Sequence, residues 1–440
     1  MRDGSIDALL RSRPDIERVE AFVCDINGVA RGKWIPRDKA LDIVTKGLPL
    51  PRSIFALDIW GGDVADAGLA FGTGDPDGLC WPVAGSAAPM AWAAQPTAQV
   101  MLTMRDGEGA PFFADPRAML AGVVDRLAQR GLVPVVATEL EFYLFDGAGA
   151  PKALRDAAQV LSIDALRDRE GLLDAILENC VAQGVPTETM LRENGPGQYE
   201  INLRHQADAC AAADHAVLLK RIVRATARQH GCTATFMAKP LGDQSGSGMH
   251  VHVSLLDRDG RPVLAGEAGG SSAMMDHAVG GLIATMPDAM LLFAPHANSY
   301  RRFRSGSHAP VTAGWGVDDR SAAIRVILET PAATRIEQRV SGADCNPYLA
   351  VAGVLAGILH GIESAADCPP AQSPLDEGLA GMPLPLEWGA AIDRFAASNA
   401  MADALGAPAR DVIAACKRQD RDELLGQVLD TEYAAYLGTL

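Results

Sequence analysis

Aromatic residues are scarce in this 440-residue chain, at 5%, and no low-complexity tract interrupts it. With 48% hydrophobic and 21% charged residues, the composition is that of a globular protein with a large core and excludes a disordered one. Basic residues are in deficit, 39 against 55 acidic, for a net charge of −16. That balance argues against a nucleic-acid-binding surface. It draws cations over long range, although solubility alone accounts for it as well. Close cysteine pairs are absent: Cys24, Cys80, Cys180, Cys210, Cys232, Cys345, Cys368 and Cys416 are scattered, so neither a zinc site nor a disulfide framework is indicated. A reducing, cytoplasmic setting is the expectation. Long apolar runs are absent too. The longest, Leu349–Leu359, is too short to span a bilayer and reads as a buried helix, so no membrane partner is expected. The N-terminal MRDGSIDALLRSRPDIE lacks the apolar segment of a signal peptide.

What is present falls into two regions. Arg18–Lys39 alternates apolar and polar residues about Asn27-Gly28, a hairpin signal. Ser53–Ile59, Leu79–Val83 and Gln99–Met104 read as further strands, separated by turns such as Gly72–Gly78. Residues 1–109 are therefore expected to form a small, mostly β domain, and residues 110–440 a larger one. In the second region Asp115-Pro116 opens a helix to Arg130. A strand is expected over Val133–Phe145, then helices over Ile163–Gln183 and Ala209–His230. Strands follow at Thr233–Ala238 and Met249–Leu256, a helix at Ser271–Phe293, and strands at Ala322–Leu328 and Arg335–Arg339. A helix from Pro347 and C-terminal helices over Leu386–Leu437 complete the chain. The class is α+β, with an antiparallel sheet presenting one chemically active face.

Glu139 and Glu141, in VVATELEFYLFD, lie two residues apart on a strand, so both carboxylates point to one side. An ExE pair alone is more often a solvated strand face. Here Val133, Val135, Val136, Phe142, Leu144 and Phe145 make the strand a buried one, where aligned like charges need a cation. Glu193 and Glu200 bracket RENGPGQYE, whose Gly195, Pro196 and Gly197 force a turn that can bring both acids toward one point; a hydrophilic loop is the bland alternative. His250 and His252 form HxH on a strand behind a Gly/Ser loop suited to anions. A lone histidine would more often be a satisfied core residue; two on one face are balanced between ligands and core. Arginines crowd the next stretch: Arg301, Arg302 and Arg304, then Arg320 and Arg325, then Arg335, Glu337 and Arg339 in RIEQR. Arginine is the planar partner of carboxylate and phosphate. Five glutamates with one or two histidines favour Mg2+ or Mn2+ over zinc, and metals beside arginines are what phosphoryl transfer needs.

The motifs ELEFYLFD, GPGQYEIN, SGSGMHVHVSL, NSYRR, APVTAGWGVDDRSAAIR and RIEQRVSGADCNPYLA together resemble the glutamine synthetase family. The likeness runs from FVCDINGVARGKWIP to QVLDTEYAAYL. It implies an N-terminal β-grasp domain, a larger catalytic domain, and a dodecamer of two hexameric rings with active sites between subunits. Carried over by motif, Glu141, Glu193 and Glu200 correspond to the ligands of one metal, and Glu139, His250 and Glu337 to those of a second. His252 and Ser254 correspond to nucleotide-phosphate contacts, and Arg325 and Arg335 to ATP-site arginines. Arg302, Arg339 and Gly246 correspond to the glutamate site, and Arg320 to the arginine on the transferring phosphoryl group. The implied reaction activates the γ-carboxylate of glutamate with ATP and then couples it to an amine.

Two departures bear on the amine. Ammonia-using members carry an aspartate in a DGSS motif; the nearest stretch here is LPRSIF, with Leu50 or Pro51 in its place. They also carry a flap glutamate, where SGSHAP has His308. Alkylammonium and ammonium ions are almost wholly protonated at neutral pH, so a missing anionic pocket points to a different amine site, with His308 a candidate base or merely a shaper of the flap. GPGQYEIN and WGVDDRSAAIRV resemble the γ-glutamylpolyamine synthetase branch, with roles in polyamine and nitrogen metabolism. Putrescine or spermidine is the favoured amine. Ammonia, ethanolamine, monoalkylamines and aromatic amines stay open. A non-catalytic structural or regulatory relative is the alternative of another class, disfavoured because all six ligand positions are filled. GLAGMPLPLEW has no tyrosine where regulated members are adenylylated.

Overall fold

The computed structural model describes residues 5–147, 160–266, 270–304, 307–373 and 381–440. Ser305 and Gly306 of SGSHAP, and the first three residues of GLAGMPLPLEW, lie outside them.

The first sheet is built from β1 (Arg18–Cys24), β2 (Ala30–Pro36), β3 (Leu48–Pro51), β4 (Asp77–Pro82), β5 (Ala88–Pro89) and β6 (Thr97–Arg105). Its order is β2-β1-β6-β4-β3, with β5 also on β6, and β1 pairs parallel to β6. The β1–β2 hairpin closes with Cys24 opposite Ala30. Its loop is longer than a two-residue turn because the Asp25 carboxylate organises it, accepting from the N–H groups of Asn27 and Val29 at 2.9 Å each, while Gly28 supplies the positive φ of 76°. Ser53–Ile59 is not a strand. Arg52–Phe55 forms a 3-10 turn, because the Asp75 carboxylate takes the Ser53 N–H at 3.1 Å and its hydroxyl at 2.8 Å, removing a donor that a ladder would need.

The second sheet carries the chemistry. Its strands are β7 (Val133–Asp146), β8 (Thr187–Arg192), β9 (Gln198–Leu203), β10 (Cys232–Thr235), β11 (Met249–Leu256), β13 (Trp315–Val317), β14 (Ile324–Ile327) and β15 (Arg335–Gln338); β12 (Thr312–Ala313) pairs instead with β16 (Met382–Pro383). The order is β13-β14-β15-β11-β7-β9-β8, with β10 on β7. All pairs are antiparallel except β13–β14, which is parallel. The stretch around GPGQYE, read as a loop from sequence, is the turn of a β8–β9 hairpin. The helix expected over Ile163–Gln183 breaks into Ile163–Arg167 and Glu170–Ala182, where Arg169 turns aside to pair with Asp146 at 2.6 Å.

Helices Ala209–Gln229, Ala273–Phe293 and Pro347–Ser364 supply most of the core around this sheet. Pro347–Ser364 is long and apolar enough to cross a membrane, but 78% of it is buried inside the protein. It lies so close to Ala273–Phe293 that a Cβ on Gly281 would fall 2.3 Å from the Gly361 Cα, so glycine is required where the backbones meet. The two sheets are tied through Asn346, whose side-chain N–H donates to the Asp25 carbonyl at 2.7 Å. Lys417, almost fully buried, donates to Asp420 at 2.8 Å and to the Asn27 side-chain oxygen.

Candidate active site

Strand register assembles the site. On β7 and β11, His250 stands opposite Glu139; on β9, Asn202 stands opposite Glu139 and Glu200 opposite Glu141. On β15, Glu337 stands opposite His252, and on β14 Arg325 stands opposite Glu337. Alternation along each strand then puts all of these side chains on one face.

The acids and imidazoles meet closely. His250 Nδ1 is 3.1 Å from Glu139 Oε2 and 3.7 Å from Glu337 Oε1, and its Nε2 is 3.9 Å from Glu141 Oε1. His252 Nε2 is 3.2 Å from Glu139 Oε1, and among the described residues neither of its buried ring nitrogens has a hydrogen-bond partner. Three overlapping groups have ligand atoms within 4.8 Å of one another: Glu141 with Glu193 and Glu200, Glu139 with Glu200 and His250, and Glu139 with His252 and Glu337. The first is the trio expected from sequence. The last brings His252, expected at the nucleotide, as close to Glu139 and Glu337 as a ligand would be.

The electrostatics are those of a cation site. Burial, then the Glu193 charge, pushes the Glu141 carboxyl up to about 8. Burial and then Glu139 and Glu141 push Glu200 up to about 9, and burial raises Glu193 as well. Burial also works to raise Glu139, but the hydrogen bond with His250 and the imidazole of His252 beside it override that and hold this carboxyl far below the usual range. Burial lowers His250, with the Arg339 charge adding to it. Carboxylates that resist ionisation because they face each other in a buried place accept a hard divalent cation readily. The donor set, oxygens with one or two imidazoles, fits Mg2+ or Mn2+.

Glu337 is buried and already paired. Arg325 Nη1 donates to its Oε2 at 2.9 Å and Arg339 Nη1 to its Oε1. Arg302, 5% exposed, donates to the Val340 carbonyl at 3.0 Å and lies against Gly246, where a Cβ would fall 2.7 Å from Arg302 Cγ and 2.8 Å from the Ala238 oxygen. Sequence reasoning missed Gln198, whose amide donates at 3.0 Å to both Glu141 Oε2 and the Gly246 carbonyl. It also missed Tyr143, which donates to the Ser245 carbonyl at 2.7 Å. Gln198 was findable, since it lies between the two acids in RENGPGQYE.

Two cavities flank this cluster. One, of about 930 Å3, is lined by Glu139, Glu141, Glu193, Glu200, Gly246, His250, Arg302, His308, Arg320, Arg325, Glu337 and Arg339. The other, of about 840 Å3, is lined by Glu139, His252, Ser254 and Arg335. Glu139 and Asn202 line both. All the residues given a metal, nucleotide, glutamate or catalytic role from sequence therefore border one or other cavity, though Arg301, Leu50 and Pro51 do not, with Ser254 and Arg335 on the far side of Glu139 from Arg302, Arg320 and His308. Arg335 donates to the Ala333 carbonyl at 2.9 Å. Arg320 and His308 are exposed on the wall of the first cavity, and the His308 charge opposes the upward shift of Glu193.

Known proteins match this arrangement. The family model of the glutamine synthetase catalytic domain matches residues 113–436. The gamma-glutamylputrescine synthetase of Escherichia coli (strain K12) is 40% identical over 94% of this chain and 90% of its own length. The glutamate–isopropylamine ligase of a Pseudomonas species is 33% identical over 80% of this chain and 79% of its own. Among solved structures, a GmaS/ADP complex superposes with a TM-score of 0.86 at 28% identity, covering 99% of this chain and 100% of that one. The chain belongs to the glutamine synthetase family, ATP-dependent ligases that form a carbon–nitrogen bond.

Proposed function

We propose that this enzyme joins the γ-carboxylate of glutamate to an organic amine, with a polyamine such as putrescine or spermidine as the preferred nucleophile. The observation that carries the ligase reading is the convergence of Glu139, Glu141, Glu193, Glu200, His250 and Glu337 beside two cavities, with arginines lining both. The cavity lined by His252, Ser254 and Arg335 takes ATP, and that lined by Arg302, Arg320, Arg339 and Gly246 takes glutamate. Glu141, Glu193 and Glu200 hold one divalent cation; Glu139, His250 and Glu337 hold another, Mg2+ or Mn2+. When bound, these ions supply charge neutralisation for phosphoryl transfer. Arg302 and Arg339 hold the glutamate carboxylates, and Arg325 and Arg335 the nucleotide. A γ-carboxylate oxygen attacks the terminal phosphorus, ADP leaves, and Arg320 stabilises the transferring group. The neutral amine then attacks the acyl carbon, phosphate leaves, and His308 takes the nitrogen's proton.

The amine assignment rests on the missing acids at Leu50, Pro51 and His308 and on relatives that use putrescine and isopropylamine. A β-grasp domain ending near residue 109, a double-hexamer assembly and a cytoplasmic setting complete the reading. Phosphate release from glutamate and Mg-ATP, measured across ammonia, ethanolamine, putrescine, spermidine, monoalkylamines and aniline, tests it. Putrescine or spermidine should give the highest kcat/KM; ammonia leading by a wide margin would overturn the amine assignment, and no amine-dependent release would overturn the ligase reading.

A further inference from the structure

A third cavity, of about 380 Å3, shares no lining residue with the two at the active site. It opens where the Asn27–Val29 loop, the Ile59-Trp60 bend, helix Ala209–Gln229 and the C-terminal helices meet. Its volume lies in the range of small-molecule sites. Trp60, 53% exposed, Phe236 and Trp388 give it flat apolar walls.

Its charges are arranged unevenly. Lys220 is buried, donates to the Cys345 carbonyl at 2.9 Å and stands 5.6 Å from the Phe236 ring centre. Arg224, one turn further along the same helix, stands 5.2 Å from the same ring. No carboxylate pairs with the exposed Arg224 among the described residues, and its charged neighbours are the cations Lys220 and Arg228. Of the acids lining the cavity, Asp420 is engaged, while Asp344 is bonded through one oxygen and its buried Oδ1 has no hydrogen-bond partner among the described residues. Asp420 accepts from the Ile59 N–H and from Lys417, each at 2.8 Å, and Asp344 accepts from the Ser299 hydroxyl at 2.6 Å with Arg302 and Lys220 nearby. The Trp388 indole N–H is buried and makes no hydrogen bond.

We propose that this cavity is a second ligand site, for a small molecule that carries one carboxylate on a flat apolar body. An arginine without a counter-ion, held over an aromatic ring, presents its donor fork to a carboxylate. The aromatic walls bury the ring of the ligand. The site connects to the active site through Asp344. Its partner Ser299 lies in the short turn Ser299–Arg301 that leads into Arg302, so an occupant pressing on Asp344 acts on the glutamate-site arginine.

Titration calorimetry of the intact enzyme with phenylacetate and phenylacetamide, under saturating glutamate, tests this independently of the ligase reading. Phenylacetate should bind one per chain, with a millimolar Kd or tighter and at least tenfold more tightly than the amide. R224Q should weaken phenylacetate at least tenfold, R224K less, and neither should alter the ligase rate without phenylacetate. W60A, at an exposed position, should weaken it about threefold. Equal binding of acid and amide, or binding untouched by R224Q and W60A, would overturn the site. Phenylacetate should also change the KM for glutamate at least twofold while leaving that for the amine unchanged; no change would overturn the link to Arg302.

Discussion

Replacing Glu141 by Gln should stabilise the metal-free protein and abolish its response to Mg2+. The ordinary value of this carboxyl is 4.5 and its buried value about 8. At about 1.36 kcal/mol per pH unit, holding it ionised costs at most about 5 kcal/mol. Its folded-state value is raised, so the folded protein keeps a proton that the unfolded chain releases above pH 4.5. The stability of the metal-free protein therefore falls as pH rises from about 4.5 to about 8 and levels off beyond. Glutamine removes that penalty and keeps both bonds, because the Gln198 amide and the Gly248 N–H, each at 3.0 Å, meet the same oxygen, Oε2, which the amide oxygen can replace. Because Glu141 lines an open cavity, solvent screening discounts that ceiling, leaving a gain of about 1–3 kcal/mol at pH 8.5 and none near pH 4.5. In a chain of 440 residues that is a rise in Tm of about 1–3 °C. Differential scanning calorimetry in EDTA and in millimolar Mg2+, at pH 5 and 8.5, measures it. Wild type should overtake the variant once Mg2+ is present. A variant less stable than wild type in EDTA at pH 8.5, or one that gains as much from Mg2+, would refute the cation-site assignment of Glu141.

His308→Glu should raise kcat/KM for ammonia relative to putrescine, as an acid beside the cavity favours a small cation; parallel rates on both amines would show whether that ratio moves. Gly246→Ala forces a Cβ into the Arg302 stem at 2.7 Å, and steady-state kinetics should show the KM for glutamate rising at least tenfold with a much smaller change in the KM for ATP. Arg320→Ala should lower kcat about 10²–10³-fold with KM for glutamate within a few-fold, because this exposed side chain supports no core; its Tm should match that of wild type.

The ligand positions were legible because strand alternation is a local rule. ExE, HxH and RIEQR each declare which side chains share a face, and Met249–Leu256 forms the strand expected of it over the same residues. What brings those faces together is not local. His250 and Glu139 are 111 residues apart in sequence, and only the family motifs linked them in advance. Elements were misread where a side chain overrode the backbone pattern: Asp75 capturing Ser53 turned an apolar run into a 3-10 turn, and Arg169 reaching Asp146 divided a helix. Gln198 stayed unread because an amide between two acids resembles an ordinary polar turn residue. Its importance comes from reaching Glu141 and Gly246 together, which requires the β7–β9 register. The third cavity had no sequence signal, since its walls come from segments almost 400 positions apart, as with Asn27 and Leu424.

The pairing of Glu337 explains why acids and arginines occupy one face without a prohibitive cost. Without a cation, Arg325 and Arg339 each hold one oxygen of this buried carboxylate, and removing both partners would leave a desolvated charge worth several kcal/mol. The same two guanidinium groups face the larger cavity, where substrate carboxylates and phosphates would enter. A cation taking Glu337 would release part of that grip and leave positive groups directed at the substrates, so cation and anion binding reinforce each other through one residue. Glu139 extends the coupling, because its two oxygens face His250 and His252 on alternate positions of β11 and its side chain borders both cavities. A charge arriving on either side of Glu139 is therefore felt on the other, which is what transfer of a phosphoryl group between ligands in two chambers requires.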